Sequence, residues 1–217
     1  MADSPRSDVD AAAIQSAKQL LRHAVLLSRE SRSPQAKADD DHARFEQLQS
    51  ALEQRSGRRT VAAYLSTATE PGTLELIGWL ASRDIQVLLP ALSSASRSDG
   101  IRPDWAPYAG PEKLQVGPFS ILEPTTPRLG SADPAGAELI ICSALAANVA
   151  GDRLGRGGGW YDRALSGVPD GVPVWTLLND EEVLETIPTD PWDIGVDAIV
   201  TPTRLVTIRP GRAKPRP

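Results

Sequence analysis

The densest chemistry in the chain lies in one stretch, Arg153-Leu154-Gly155-Arg156-Gly157-Gly158-Gly159-Trp160-Tyr161-Asp162-Arg163. Four glycines fall within five positions, from Gly155 to Gly159. Without side chains in the way, backbone N–H groups can close on an anion, and Arg153 and Arg156 add positive charge at the same place. The setting, after an apolar run and before a short helical segment, is one where phosphate is commonly held. Glycine content alone fits a flexible turn equally well. The familiar nucleotide fingerprints both fail: a Walker loop needs Gly-Lys-Ser/Thr, and a dinucleotide loop starting at Gly155 and Gly157 needs glycine where Trp160 stands.

Three further groups could join such a site. Lys18, Arg22 and Arg29 fall on one helical stripe beside the apolar stripe of Ile14, Leu21 and Val25. Like charges at i, i+4 repel, so Lys18 beside Arg22 needs a facing anion or a solvated edge. Glu70, before Pro71, lies in a loop after a strand, where open α/β sheets bind ligands. Asp162 and Asp193 supply hard carboxylate oxygens of the kind magnesium takes together with nucleotide phosphates; the structural alternatives are a first-turn acid and a turn residue. With His23 and His42 the only histidines, Ser-His-Asp triads and histidine-ligated metal centres lack material.

The elements that must position these groups follow from periodicity. Residues 8–30 and 39–54 read as helices, the second with Asp39, Asp40 and Asp41 at its positive end. Residues 60–65, 73–82 and 86–92 read as strand, helix and strand, a right-handed βαβ unit of a parallel sheet. Residues 93–104 read as a polar loop and 112–121 as a small hairpin broken by Gly117-Pro118. The continuous apolar run at 137–142 reads as a central strand buried on both faces. It leads into the glycine-rich segment and a short helix ending near Ser166. Residues 173–178 and 197–201 read as later strands, and 205–209 as an edge. The expectation is one α/β domain over residues 1–210, with an open, mainly parallel, Rossmann-like sheet flanked by helices, followed by a flexible basic tail at 211–217.

Composition bounds the function. The chain has 217 residues, 41% hydrophobic and 24% charged, enough to bury a sizeable core. Its net charge of −5 argues against general nucleic-acid binding, which needs a surplus of Lys and Arg. No stretch reaches a membrane span, and no secretory signal pattern opens the sequence. The single cysteine, Cys142, cannot form an internal disulfide, which fits a reducing cytoplasm. The expected protein is a cytoplasmic monomer with small-molecule ligands.

Taken together, these segments resemble the 5-formyltetrahydrofolate cyclo-ligase family, also called methenyltetrahydrofolate synthetase. The resemblance runs from Ala17-Lys18-Gln19-Leu20-Leu21-Arg22 through Ala63-Tyr64-Leu65 with Glu70, Leu88-Leu89-Pro90 and Glu123-Pro124. It continues through Asp152 and the glycine-rich segment to Asp193 and then to the run from Asp197 to Pro202. It implies ATP as co-substrate, Mg2+ as metal and 5-formyltetrahydrofolate as substrate. In the implied reaction the formyl oxygen attacks the γ-phosphate, and folate nitrogen 10 then closes the ring to 5,10-methenyltetrahydrofolate. By motif, Lys18 and Arg22 meet the ATP phosphates, as do Arg153, Leu154, Gly155, Arg156, Gly157, Gly158, Gly159, Trp160 and Tyr161. Leu65 and Glu70 contact the folate, with Arg156, Gly157, Gly158, Gly159 and Trp160 lying between the two ligands. Lys18 and Arg156 carry the catalysis, and Asp162 and Asp193 hold the metal. Many relatives have Pro-Gly-Leu-Ala-Phe-Asp where this chain has Ser143-Ala144-Leu145-Ala146-Ala147-Asn148; tyrosine is usual where it has Trp160, and some have lysine where it has Gly158. A non-catalytic nucleotide-binding paralogue is the alternative.

Overall fold

The computed structural model describes residues 5–54, 57, 59–92, 102–132 and 134–208. Two long helices come first, α1 (Pro5–Glu30) and α2 (Pro34–Glu53). Then come β1 (Thr60–Ala62), α3 (Leu74–Ala81), β2 (Gln86–Pro90), β3 (Trp105–Pro107), β4 (Leu114–Val116) and β5 (Leu122–Pro124). The second half holds β6 (Leu139–Ser143), β7 (Ala146–Asn148), β8 (Arg153–Leu154), α4 (Trp160–Leu165), β9 (Val174–Leu177), β10 (Val183–Leu184), β11 (Ala198–Val200) and β12 (Leu205–Thr207).

The main sheet has the strand order β12-β11-β9-β6-β1-β2-β3. Its five inner strands run parallel, and only the edges β12 and β3 are antiparallel. The fold is therefore the expected mainly parallel α/β sheet flanked by helices. Strand alternation divides the core between the two faces. Val61, Val87, Leu139, Ile141 and Trp175 pack with Leu48 and Leu52 of α2 and Leu76, Ile77 and Leu80 of α3. Ala62, Leu88, Ile140, Cys142 and Val174 pack on the other side with Ala164 and Leu165 of α4. The run Leu139-Ile140-Ile141-Cys142 is wholly buried, as its unbroken apolar character requires of a strand covered on both faces.

A small sheet, ordered β10-β7-β8, closes one side of the molecule. Val25 of α1 packs against its Leu145, Ala146 and Leu154, which lays the basic stripe of α1 along the segment leading into the glycine loop.

The second helix begins at Pro34, not at residue 39. Ser33 is its cap, its side chain accepting from the Ala36 N–H, and Pro34 occupies the first turn, where its missing N–H costs nothing. Asp39, Asp40 and Asp41 thus lie beyond the first turn and do not cap. Asp40 pairs with Arg32, while Asp41 accepts from Arg44 Nη1 at 2.8 Å, Lys37 Nζ at 2.7 Å and the Gly72 N–H at 2.7 Å. β1 stops at Ala62, short of the expected residue 65. The strand β3 and the small sheet were not expected, and residues 93–101 of the expected polar loop lie outside the described residues. The expected hairpin exists but is built by β4 and β5, so it reaches Pro124. The strand β12 covers 205–207, and the basic tail lies outside the described residues.

Candidate functional site

A cavity of about 1190 Å³ opens beyond the carboxyl ends of β1, β2 and β6, where open α/β sheets bind ligands. All the residues anticipated from the sequence line it: Lys18, Arg22, Leu65, Glu70, the whole run from Arg153 to Asp162, and Asp193. Three elements far apart in the chain therefore meet: the inner face of α1, the loop after β1, and the glycine-rich segment between β8 and α4.

Two of the three bases on the α1 stripe find their anions within the protein. Lys18, only 4% exposed, donates to Asp190 Oδ2 at 2.6 Å and to Asp193 Oδ2. Arg29 lies further from the cavity, clasping Glu182 through Nε at 2.7 Å and Nη2 at 2.8 Å. Burial works to lower the Arg29 pKa, but the hydrogen bond and charge of Glu182 outweigh it and hold the guanidinium above its ordinary value. Arg22 has no carboxylate partner among the described residues; its Nε donates to the Gly155 carbonyl at 2.9 Å.

That contact bears on the loop. Arg163 makes its counterpart at the other end, donating from Nη2 to the Gly158 carbonyl at 2.7 Å. In a trans peptide the carbonyl and the following N–H point in opposite directions. Fixing the carbonyls of Gly155 and Gly158 on arginines therefore fixes the N–H groups of Arg156 and Gly159 on the opposite side. Among the described residues, the N–H groups of Arg156, Gly157, Gly158 and Gly159 have no protein acceptor. Four consecutive donors without acceptors leave this loop free to donate to an anion.

Two glycines are required here. Gly157 has φ +98° and Gly159 φ +63°, and a Cβ would come within 3.2 Å of Arg22 Cζ at the first and 3.0 Å of Arg163 Nη1 at the second.

Arg153 is buried, donating from Nη2 to Asp162 Oδ1 at 2.5 Å and from Nε to the Ile194 carbonyl at 3.3 Å. It anchors the base of the loop. Arg156 reaches across the cavity to the loop after β1, with Nε 3.2 Å from Glu70 Oε1. Glu70 Oε2 accepts from both the N–H and the hydroxyl of Thr67 at 2.9 Å, which curls this loop toward the cavity. Trp160 packs edge-on against Trp105 at 5.1 Å and Tyr161 at 4.8 Å. Its buried Nε1 has no hydrogen-bond partner. Burial pushes the Tyr161 hydroxyl well above its usual pKa, so it stays protonated at neutral pH.

The lining carries five bases and four acids. Lys18, Arg153 and Arg156 are each paired with carboxylates, which leaves Arg22 and Arg163 as cations without acidic partners among the described residues, one at each end of the loop. An anion entering here meets unneutralised charge although the chain as a whole is acidic.

For a divalent cation the donor set is small. Among the described residues no group of three or more His, Cys, Asp or Glu forms a metal cluster. Asp162 and Asp193 approach the same segment, since Asp162 Oδ1 also accepts from the Ile194 N–H at 3.3 Å. Each uses one oxygen for its protein partners, leaving Asp162 Oδ2 and Asp193 Oδ1 without a protein donor among the described residues. These two oxygens are the carboxylate donors that could meet a magnesium ion, which would take the rest of its coordination from a ligand and water.

Sequence reasoning missed Asp190, which shares Lys18 with Asp193, and Gln15, which donates to Asp190 Oδ2 at 2.7 Å. It also missed Phe119 and Trp192, two exposed aromatic residues of the lining. The replaced Asn148 serves the local backbone, because its side chain accepts from the Ala150 and Asp152 N–H groups and donates to the Asp152 carboxylate, closing the turn between β7 and β8.

Fold and site define an α/β protein with a cavity at the carboxyl edge of a parallel sheet, lined by a glycine-rich loop. The chain belongs to the 5-formyltetrahydrofolate cyclo-ligase family, whose model matches residues 14–202. It is 33% identical to a 5-formyltetrahydrofolate cyclo-ligase of Mycolicibacterium smegmatis over 193 residues, covering 88% of this chain and 97% of that one. It is 30% identical to an Escherichia coli 5-formyltetrahydrofolate cyclo-ligase over 67% of this chain and 79% of the other. Among solved structures it superposes on the 5,10-methenyltetrahydrofolate synthetase of Aquifex aeolicus with a TM-score of 0.74 and 28% identity, covering 90% of this chain and 94% of that one.

Proposed function

We propose that this chain converts 5-formyltetrahydrofolate to 5,10-methenyltetrahydrofolate at the expense of ATP, releasing ADP and phosphate. The observation that carries this reading is the glycine loop, with four N–H donors lacking acceptors and an unneutralised arginine at each end, facing Glu70 across one cavity. Family membership supplies the substrate pair.

The formyl oxygen attacks the γ-phosphorus, the bond to the bridging oxygen breaks and ADP leaves. The formyl carbon, now bearing a phosphate leaving group, is attacked by nitrogen 10, which loses its proton, and phosphate departs with the former formyl oxygen. No protein nucleophile is needed. Phosphoryl transfer depends on positioning and charge stabilisation, which suits a site poor in histidine and rich in fixed donors.

The loop N–H groups, Arg22 and Lys18 hold the phosphates, and Arg156 spans from them to the folate side. Leu65 and Glu70 take the folate ring, with Phe119, 87% exposed at the turn of the β4–β5 hairpin, as an added apolar wall. Asp162 and Asp193 would hold magnesium, which neutralises phosphate charge when bound. Among the described residues no helix is long and apolar enough to cross a membrane, and we place the reaction in the cytoplasm.

The direct test mixes purified protein with 5-formyltetrahydrofolate, ATP and magnesium and follows the near-ultraviolet absorbance of the methenyl product. ATP binding without that absorbance would assign a non-catalytic nucleotide-binding role instead.

Lys18→Ala is expected to raise the KM for ATP by about 10- to 100-fold while the KM for folate changes little, and, because it leaves Asp190 and Asp193 without their shared cation, to lower the melting temperature as well. Steady-state kinetics with each substrate varied in turn checks this. Asp162→Asn and Asp193→Asn should each move activity to higher magnesium concentration, and the double variant should fall short of additivity because both act on one ion. Magnesium titrations that match the wild type in both single variants would remove the shared site.

A further inference from the structure

The run Asp39-Asp40-Asp41 neither caps α2 nor lines the cavity. Asp41 instead reaches, across 31 positions, the loop after β1 that bears Glu70: its Oδ1 accepts from the Gly72 N–H at 2.7 Å.

That loop takes its shape from its own residues. The Thr73 hydroxyl donates to the Tyr64 carbonyl at 2.6 Å and accepts from the Ser66 N–H at 3.1 Å, and the Tyr64 hydroxyl donates to the Pro71 carbonyl at 2.9 Å. Its ties to the rest of the molecule are few. Among the described residues, the hydrogen bonds that reach residues 66–72 from outside 64–73 come from Asp41 and Arg156 alone.

The two ties are unequal. The Arg156 side chain is half-exposed and, in the proposed reaction, turns to phosphate, so its hold on the loop is not kept through turnover. Asp41 is clamped on both oxygens, Oδ1 by Arg44 Nη1 at 2.8 Å and Oδ2 by Lys37 Nζ at 2.7 Å. Arg44 is buried and is itself fixed at the end of β9, on the Leu178 carbonyl at 3.1 Å and Asn179 Oδ1 at 2.8 Å. Charge-assisted bonds to a buried guanidinium hold a carboxylate in one place, and a group so held can support another. Gly72 permits the approach, since a Cβ there would come within 2.6 Å of Asp41 Oδ2 and 2.7 Å of its Cγ.

We propose that Asp41, outside the cavity, is a positioning residue for its folate side: through the Gly72 N–H it keeps the loop of Leu65 and Glu70 in the geometry that takes the substrate. This rests on the reading of the cavity as the folate and ATP site.

The test measures, by calorimetry below the melting temperature of each protein, the Kd of 5-formyltetrahydrofolate and of ATP with magnesium for the wild type, Asp41→Ala, Asp41→Asn and Gly72→Ala. Loss of one hydrogen bond to a charged group predicts about a tenfold rise in the folate Kd for Asp41→Ala. Gly72→Ala pushes the carboxylate off the loop and should give a rise of similar size, and the two changes together should fall well short of additivity because both break one contact. Asp41→Asn keeps an oxygen for the Gly72 N–H and should bind folate within about threefold of the wild type. The ATP Kd should stay within about threefold in every variant, since one unrelated contact is removed. Asp41→Ala should also melt lower, because Arg44 loses a partner. A residue that only supported the fold would show that lower melting temperature with an unchanged folate Kd, and this result overturns the proposal, as does an equal loss for both ligands. Should Asp41→Ala fail to fold, Gly72→Ala decides: a wild-type folate Kd there overturns it equally. A wild-type protein that binds no 5-formyltetrahydrofolate overturns the folate reading of the cavity and the proposal with it. Folate binding indifferent to positions 41 and 72 removes the proposal and leaves that reading standing.

Discussion

Glu182→Ala is expected to lower the unfolding free energy by about 3–5 kcal/mol, a large share of the 5–15 kcal/mol typical of a whole domain. Glu182 is 2% exposed, and its two oxygens accept from Arg29 Nε and Nη2 and from the backbone and side chain of Asn179. Asn179 Oδ1 in turn accepts from Arg44 Nη2 at 2.8 Å, and Arg44 Nε donates to the Leu178 carbonyl. The network joins both long helices to the end of β9. Removing one carboxylate strands a buried guanidinium that already carries an unpaired Nη1, and an isolated buried charge costs more than the pair contributes. The raised Arg29 pKa sets the sign of the pH dependence. A base with a raised folded-state pKa contributes stability that is fully present below its ordinary value, so the effect is undiminished at neutral pH and fades only in strong alkali. Urea denaturation at neutral pH reads the loss directly. Changing Arg29→Met together with Glu182→Leu should recover much of it, since the charge and its partner leave together; a Glu182→Ala variant within about 1 kcal/mol of wild type would remove this network from the fold's support.

How much of this was legible in the sequence depends on the range of each signal. The sheet was legible because its strands are continuous apolar runs, as in 139–142, and because helix period and strand period alternate along the chain. The start of α2 was missed because three aspartates looked like a favourable first turn, while Ser33-Pro34 is the stronger local signal: a side-chain cap followed by a residue that needs no N–H partner. The small sheet was missed because β8 and β10 have two residues each, too few for any period. In the site, the glycine loop announced itself through composition. What held it did not: the pairing of Arg22 with the Gly155 carbonyl spans 133 positions and that of Lys18 with Asp190 spans 172, and no local pattern encodes such partners. Repulsion between Lys18 and Arg22 left a facing anion or a solvated edge open, and for Lys18 two aspartates of the protein supply the anion. The turn at 190–193 was readable in principle, because Asp followed by Pro favours turn initiation.

Arg156→Ala is expected to cut kcat/KM by roughly 10- to 150-fold while leaving the melting temperature nearly unchanged, because the two effects draw on different surroundings. The Arg156 side chain is 46% exposed, and its link to Glu70 is an ion pair open to water, of the kind worth about 0–1 kcal/mol. Its remaining contacts are long hydrogen bonds to the hydroxyls of Thr67 and Thr69, each at 3.4 Å. Little of the fold depends on it. In the proposed reaction the same guanidinium would lie where the γ-phosphate and the formyl oxygen meet. A charge-assisted hydrogen bond to phosphate there would contribute about 1.5–3 kcal/mol. Glu70 sharpens the comparison. If Arg156 served only to hold the loop after β1, Glu70→Gln would weaken the same ion pair and reproduce the loss in full. If it stabilises charge in transfer, Glu70→Gln should weaken folate binding while leaving the ATP dependence close to wild type, and only Arg156→Ala should lower kcat. Steady-state kinetics of both variants beside their thermal melts decides the matter: a melting temperature that falls in step with activity for Arg156→Ala would return the residue to a structural role.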